Sequence, residues 1–222
     1  MCRVRLMQRM WVLKKQPYRE TSVLVTVLSE DDITYRGVAR GGRGRCAEFQ
    51  PLCATLKAPA TGLARLSNIE QAAARVPLDG TRLIAALYAN EIMTLMIPEG
   101  AELPGIFDEY TQILAALARG DYIVLRRLER LLLNSVGGYP QLAVDQYGEA
   151  IDPEAWYRLH QNQSLVAVEA HAADALLGDQ WLAIANASFV PGSKVAFATW
   201  LHRSLIDAAL GGKRLITREL MK

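Results

Sequence analysis

Arg36, Arg40, Arg43 and Arg45 stand within ten residues, interleaved with Gly37, Gly41, Gly42 and Gly44 and with no acid among them. Guanidinium forks offer paired donors to phosphate oxygens, and glycines let a backbone approach a ligand closely. The chemistry on offer is therefore anion capture, not bond breaking. A basic glycine-rich stretch is also what a plain solvated loop looks like, so its surroundings decide. Lys14, Lys15 and Arg19 flank the first expected hairpin turn and are candidates for phosphate contact. Trp11, Tyr18 and Tyr35 could stack on bases, although Trp11 lies in an apolar run where core packing competes. Further along, Arg126 and Arg130 are four apart and project from one side of a helix, where they repel unless an anion sits nearby; Glu129 offsets part of that. Lys213, Arg214 and Arg218 follow a helix stop, where a structural role at the helix dipole competes with ligand binding.

Catalytic constellations are harder to find. Asp31-Asp32 and Asp108-Glu109 are adjacent carboxylates, but neighbours on a turn or helix diverge, so both read as solvated faces. Glu169 and His171 are two apart on an expected helix and point differently, and no HExxH, GxSxG, Walker or dinucleotide string occurs. No enzyme is expected. Cys2, Cys46 and Cys53 form neither a disulfide framework nor a paired CxxC spacing, which favours a reducing compartment. The start of the chain lacks the apolar run of a signal peptide, and no stretch approaches a membrane span, so the expected location is cytoplasmic, with no membrane partner.

The elements that position these residues divide in two. Before residue 75, short β-like runs cover residues 10–13, 23–28, 33–39, 53–58 and 63–71, separated by Gln16-Pro17, by Glu30-Asp31-Asp32 and by the glycine-arginine stretch with Pro51. Five short strands suggest a small barrel. From residue 80 the period becomes helical: Leu83, Leu87, Ile92 and Leu95 recur behind Asp79 and Thr81 as capping side chains, and Pro98-Glu99-Gly100 ends the run. Further helices are expected over 103–119, over 121–136 with a stop at Gly137-Gly138, over 165–177 and over 195–210 with a stop at Gly211-Gly212; residues 141–162 read as irregular. Period, charge and turn chemistry all change near residues 77–80, which places domains at 1–79 and 80–222. Charge divides there too: 13 lysines and arginines against 7 acids before residue 80, and 12 against 16 after it. A basic first half suits a polyanion, and the acidic second half suits a different task.

Several strings, taken in order, resemble the bacterial RecO family of DNA-repair mediators. Val12-Leu13 with Pro17-Tyr18-Arg19-Glu20-Thr21-Ser22 is similar to the family's first hairpin, and Val38-Ala39-Arg40-Gly41-Gly42-Arg43 to its basic loop, with Gln50-Pro51-Leu52 following. Leu87-Tyr88-Ala89-Asn90-Glu91-Ile92, Phe107-Asp108-Glu109-Tyr110 and Leu125-Arg126-Arg127-Leu128-Glu129 carry the likeness through the helical part. Gly211-Gly212-Lys213-Arg214-Leu215 with Arg218-Glu219-Leu220 carries it to the end. The resemblance implies an α+β chain, with an N-terminal five-stranded OB-fold barrel followed by a mainly α-helical domain. It implies binding of single- and double-stranded DNA, strand annealing, and work with RecR to load RecA on DNA coated by single-stranded-DNA-binding protein, whose acidic C-terminal tail is also a partner. That tail would meet Arg126 in the helical region, with Leu125, Leu128 and Trp200 as an apolar floor. An RNA-directed barrel factor is the alternative, because the same surface tracks any single strand. One departure stands out: many members carry a four-cysteine zinc cluster after the position of Gly138-Tyr139, whereas residues 142–156 contain neither cysteine nor histidine. Structural zinc needs four such ligands, so no metal and no cofactor are expected.

Overall fold

The computed structural model describes residues 3–160, 163–170, 172, 174–186 and 194–220, the side chains of 3–6, 194 and 195 excepted. Five strands, β1 (Arg3–Tyr18), β2 (Ser22–Ser29), β3 (Thr34–Ala39), β4 (Pro51–Ala58) and β5 (Ala64–Gln71), close into a barrel in the order β1-β2-β3-β5-β4. This is the strand order of the OB-fold, as expected from the resemblance. β1 is longer than its apolar run because it serves both neighbours: its C-terminal half pairs with β2 and its N-terminal half with β4. Alternation sorts the faces, with Val12, Val23, Val25, Val27, Ala54, Leu56, Ala64 and Leu66 filling the interior. Closure depends on Gly37. A Cβ there would lie 2.8 Å from the Ala64 carbonyl oxygen and 2.9 Å from a Leu66 methyl, so only glycine lets β3 and β5 run side by side in parallel.

Helices α1 (Gly80–Met96) and α2 (Ile106–Ala118) belong to the same compact unit as the barrel, Met1–Leu128 with Lys213–Lys222, and side-chain hydrogen bonds tie them to it. The β1 bulge between Val12 and Lys14 leaves Leu13 outside the regular ladder, and the Asn90 amide of α1 donates to its carbonyl at 2.8 Å. Asn90 accepts in turn from the Tyr110 hydroxyl of α2 at 2.5 Å, and full burial drives that phenol's pKa up. The Trp11 indole donates to Thr111 at 2.9 Å and meets Tyr110 edge-on. Asp32, at the β2–β3 hairpin tip, accepts from the backbone N–H groups of Gly105 (2.8 Å) and Phe107 (2.9 Å), so a side chain remote in sequence caps α2. Asp32 is thus a capping group and not part of a solvated face. Asp79 does not cap α1, because its carboxylate takes the Arg82 guanidinium three residues on. The Glu91 carboxylate of α1 receives the N–H groups of Ile216 (2.7 Å) and Thr217 (3.0 Å), docking the short 3-10 helix Ile216–Arg218.

The second unit, Glu129–Gly212, takes up most of α3 (Leu125–Ser135) and holds β6 (Trp156–Leu159), β7 (Leu165–Val168), β8 (Leu176–Leu177), α4 (Gly178–Ala185) and α5 (Lys194–Ala209). Two expectations fail here. Of the helix expected over 165–177, the described residues 165–168 and 176–177 are strands instead: Leu165–Val168 pairs antiparallel with one edge of β6, and Leu176–Leu177 with its other edge. β-branched residues and cross-strand pairing outweigh an apolar spacing that suits either element. Residues 156–159, expected to be irregular, are the central strand of that sheet. Trp181 anchors the unit, fully buried, with its indole N–H on the Tyr157 carbonyl at 3.0 Å and its ring edge-on to Phe197. The third helix begins at Leu125 and not at 121, because Asp121 accepts from the Ile123 N–H in a separate turn.

Candidate nucleic-acid interface

Two hydrogen-bonded loops bring the cations to one end of the barrel. Between β3 and β4 the chain curls at Gly42, whose carbonyl accepts from Arg45 (3.1 Å) and Cys46 (2.8 Å). A Cβ on Gly42 would lie 2.8 Å from that of Ala39 and 3.1 Å from the Cys46 sulfur, so this curl needs glycine. Cys46 is the anchor: its side chain is part of the barrel core, and burial pushes the thiol pKa up to about 11. With the anchor inside, Arg40, Arg43 and Arg45 are left exposed. Lys15 donates to the Cys46 carbonyl at 2.9 Å, and Arg43 donates to the Glu20 carbonyl of the β1–β2 turn at 2.9 Å. In that turn Arg19 has φ 56° and lies over the Tyr18 ring, its guanidinium carbon 5.3 Å from the centroid. Carbonyl oxygens hold these side chains without cancelling their charge. Among the described residues, Arg36, Arg40, Arg43 and Arg45 form no ion pair with a carboxylate.

The outer face of the sheet extends this patch. Lys14 on β1 stands opposite Thr26 on β2, and Thr26 opposite Arg36 on β3, a single row that sets the two cations roughly 10 Å apart at two strand spacings. The next row runs Gln16, Leu24, Val38, Arg65, Lys57. Arg65 and Lys57 are exposed and project outward because their neighbours Ala64, Leu66 and Leu56 are interior. Sequence reasoning missed both. Strand alternation alone would have put them on an outer face, but only closure of the barrel brings that face beside Arg36. Trp11, in contrast, is buried against α2 and has no surface to offer a base. Tyr18 is exposed, and Tyr35 is half-buried.

The expected partner-binding residues divide differently. Arg126 is only 6 % exposed and lies one helical turn from the fully buried Glu129. Arg130 donates to the Ala185 carbonyl at the C-terminus of α4, where a cation also suits the helix dipole. Leu125 and Leu128 are core residues and cannot serve as an exposed floor, whereas Trp200 is 60 % exposed on α5. Arg214 is ion-paired with Glu219, Lys213 is exposed, and Arg218 is half-buried in the 3-10 helix. His171 and Cys2 lie outside the described residues. Among the described residues no group of three metal-ligating side chains converges, and no helix is long and apolar enough to cross a membrane.

Two family models match the chain, one over the barrel and one over the residues that follow it. The model for the N-terminal region of recombination protein O matches residues 5–74, and that for its C-terminal region matches residues 77–192. The chain belongs to the RecO family. Among its relatives, the DNA repair protein RecO of Vibrio vulnificus is 31 % identical, with 96 % of this chain and 92 % of the relative covered. The DNA repair protein RecO of Aliivibrio salmonicida is 32 % identical over 96 % and 94 %. That of Pseudomonas aeruginosa strain LESB58 is 33 % identical over 96 % and 93 %. The likeness spans both units, so it rests on more than the barrel.

Proposed function

We propose that this protein is a non-enzymatic DNA-binding mediator of recombinational repair, which captures strands on its barrel, anneals complementary strands, and acts with RecR to load RecA on DNA coated by single-stranded-DNA-binding protein. The observation that carries this reading is the unneutralised cluster of Arg36, Arg40, Arg43 and Arg45 on a barrel of OB topology. Lys14 extends the cluster, with Lys57 and Arg65 in the adjoining row. Charges of one sign along a surface track a phosphate backbone of any sequence, and a surface that holds two strands raises their local concentration for pairing. Lys15 and Arg19 belong to the same track, with Lys15 also tying the loop down.

Docking of the coating protein's acidic tail is assigned to Arg126 and Arg130, with Lys213, Arg214 and Arg218 as a second basic segment. Arg126 is the first of these to test, and its burial dictates how. Arg126→Ala removes a buried side chain and lowers thermal stability as well as tail binding, so Arg126→Lys, which keeps the charge, is the matched control. The deciding experiment is fluorescence-monitored annealing of complementary oligonucleotides, with and without the coating protein. The expected result is annealing that is abolished when the four loop arginines become alanine. Stimulation by the coating protein should be lost selectively in a folded Arg126 variant. Annealing that survives the arginine substitutions, or RNA outcompeting DNA, would refute the reading.

A further inference from the structure

Two depressions on the outer face of the barrel share Tyr35 and Glu99. One, of about 310 Å³, is lined by Lys14, Gln16, Thr26 and Arg36 together with Thr94 and Ile97. The other, of about 420 Å³, continues past Tyr35 to Pro59, Gly62 and Leu63 in the β4–β5 loop. Glu99 is the one carboxylate among the residues lining either depression. The backbone on both sides of it is pinned to β3: Thr34 donates its hydroxyl to the Pro98 carbonyl (3.0 Å) and accepts from the Gly100 N–H (2.8 Å). Yet among the described residues Glu99 forms no hydrogen bond or ion pair, although it shares a depression with Lys14 and Arg36.

Opposite charges held apart on a rigid wall suit a ligand that itself carries both an anion and a hydrogen-bond donor. Resting on the DNA-capture reading above, we infer that this trough is a subsite for one unpaired nucleotide whose base bears an exocyclic amino group. Its phosphate lies toward Lys14 and Arg36, and its Watson–Crick edge donates to Glu99. A carboxylate accepts from the cytosine N4 amino group, whereas uracil presents a carbonyl oxygen at that position and keeps only its N3–H as a Watson–Crick donor, so it fits less well. Base pairing takes the amino group away from Glu99. The subsite therefore holds single strands and releases them once paired, which is the order of events that annealing needs.

The test compares oligodeoxycytidine with oligodeoxyuridine of equal length, which differ in that amino-for-carbonyl exchange and in the proton that uracil carries at N3, by fluorescence anisotropy. The wild-type protein is expected to bind the cytidine strand roughly three- to tenfold more tightly, the range for one charge-assisted hydrogen bond at a partly solvated site. Glu99→Ala and Glu99→Gln should each erase that ratio, leave uridine-strand affinity unchanged or slightly higher, and leave duplex affinity unchanged. Arg36→Ala should weaken both strands alike. A wild-type ratio of one, or a ratio that survives both Glu99 variants, overturns the subsite while leaving DNA capture standing. Failure of Arg36→Ala and the loop-arginine variants to weaken either strand overturns DNA capture itself.

Discussion

The number of charges that the barrel presents to a strand can be worked from its ion pairs and checked by salt titration. Arg36, Arg40, Arg43 and Arg45 have no carboxylate partner among the described residues, whereas Arg9 is held by Glu30 at 2.9 Å and Arg127 by Glu109 at 2.7 Å. Each cation that neutralises a phosphate of a single strand contributes about 0.7 to the slope of log K against log salt concentration, so changing all four to alanine should flatten that slope by about 2.8. Between 50 and 200 mM salt the wild-type protein should therefore lose about 50-fold more affinity than the quadruple variant, and about 2.6-fold more than any single one. Arg9→Ala and Arg127→Ala serve as matched controls, because a cation already paired releases few counterions on binding; their slopes should match the wild type. The assay is anisotropy on a uniform single strand at stepped salt, with thermal melts to show that exposed substitutions leave the fold intact. An unchanged slope in the quadruple variant, or an equal flattening in the Arg9 control, would refute the assignment of the phosphate track to the glycine-arginine loop.

Three further outcomes follow from the packing and the buried titratable groups. Gly37→Ala forces a Cβ to within 3 Å of the β5 backbone and should cost about 3 kcal/mol or more in urea unfolding, with DNA binding lost in step, since it opens the parallel seam. Asn90→Leu strands the Leu13 carbonyl and the Tyr110 hydroxyl in the interior and should cost about 2–4 kcal/mol, against a far smaller loss for a substitution at exposed Leu95. Cys46 should resist a thiol reagent in the native protein and react on unfolding. Because its folded pKa is raised to about 11, above the value of an exposed thiol, its contribution to stability is complete below about pH 8.5 and is lost as pH rises toward 11. Cys46→Ala should remove that alkaline decline, and a melting temperature that falls equally in both proteins would show that another group governs it.

Much of the fold was legible because strands and helices announce themselves by period. The valine alternation of residues 23–27, the helical recurrence after residue 80 and the glycine stops at 137 and 211 all correspond to elements of the structure, with Gly137 and Gly211 at φ 66° and 58°. The reading failed over residues 165–177, where a short apolar run fits helix and strand equally and only its partner, the strand Trp156–Leu159, decides. Asp32 could not be recognised as a cap from sequence, since the helix it serves begins more than seventy residues later.

Residue type and spacing alone established that this chain carries a concentrated positive charge on a glycine-rich, β-rich first half, because charge and backbone freedom are properties of the residues themselves. Which cations act together was decided by tertiary structure. Parallel pairing of β3 with β5, permitted by Gly37, places Arg65 and Lys57 in the row that adjoins Arg36, and burial of Cys46 turns the loop arginines outward. The same folding packs Trp11 edge-on against Tyr110, removing from the surface a side chain that the sequence offered to bases, and leaves Arg126 only slightly exposed. Charge can be counted along a chain, but a binding surface exists only where strand closure and core burial choose which side of each residue meets water.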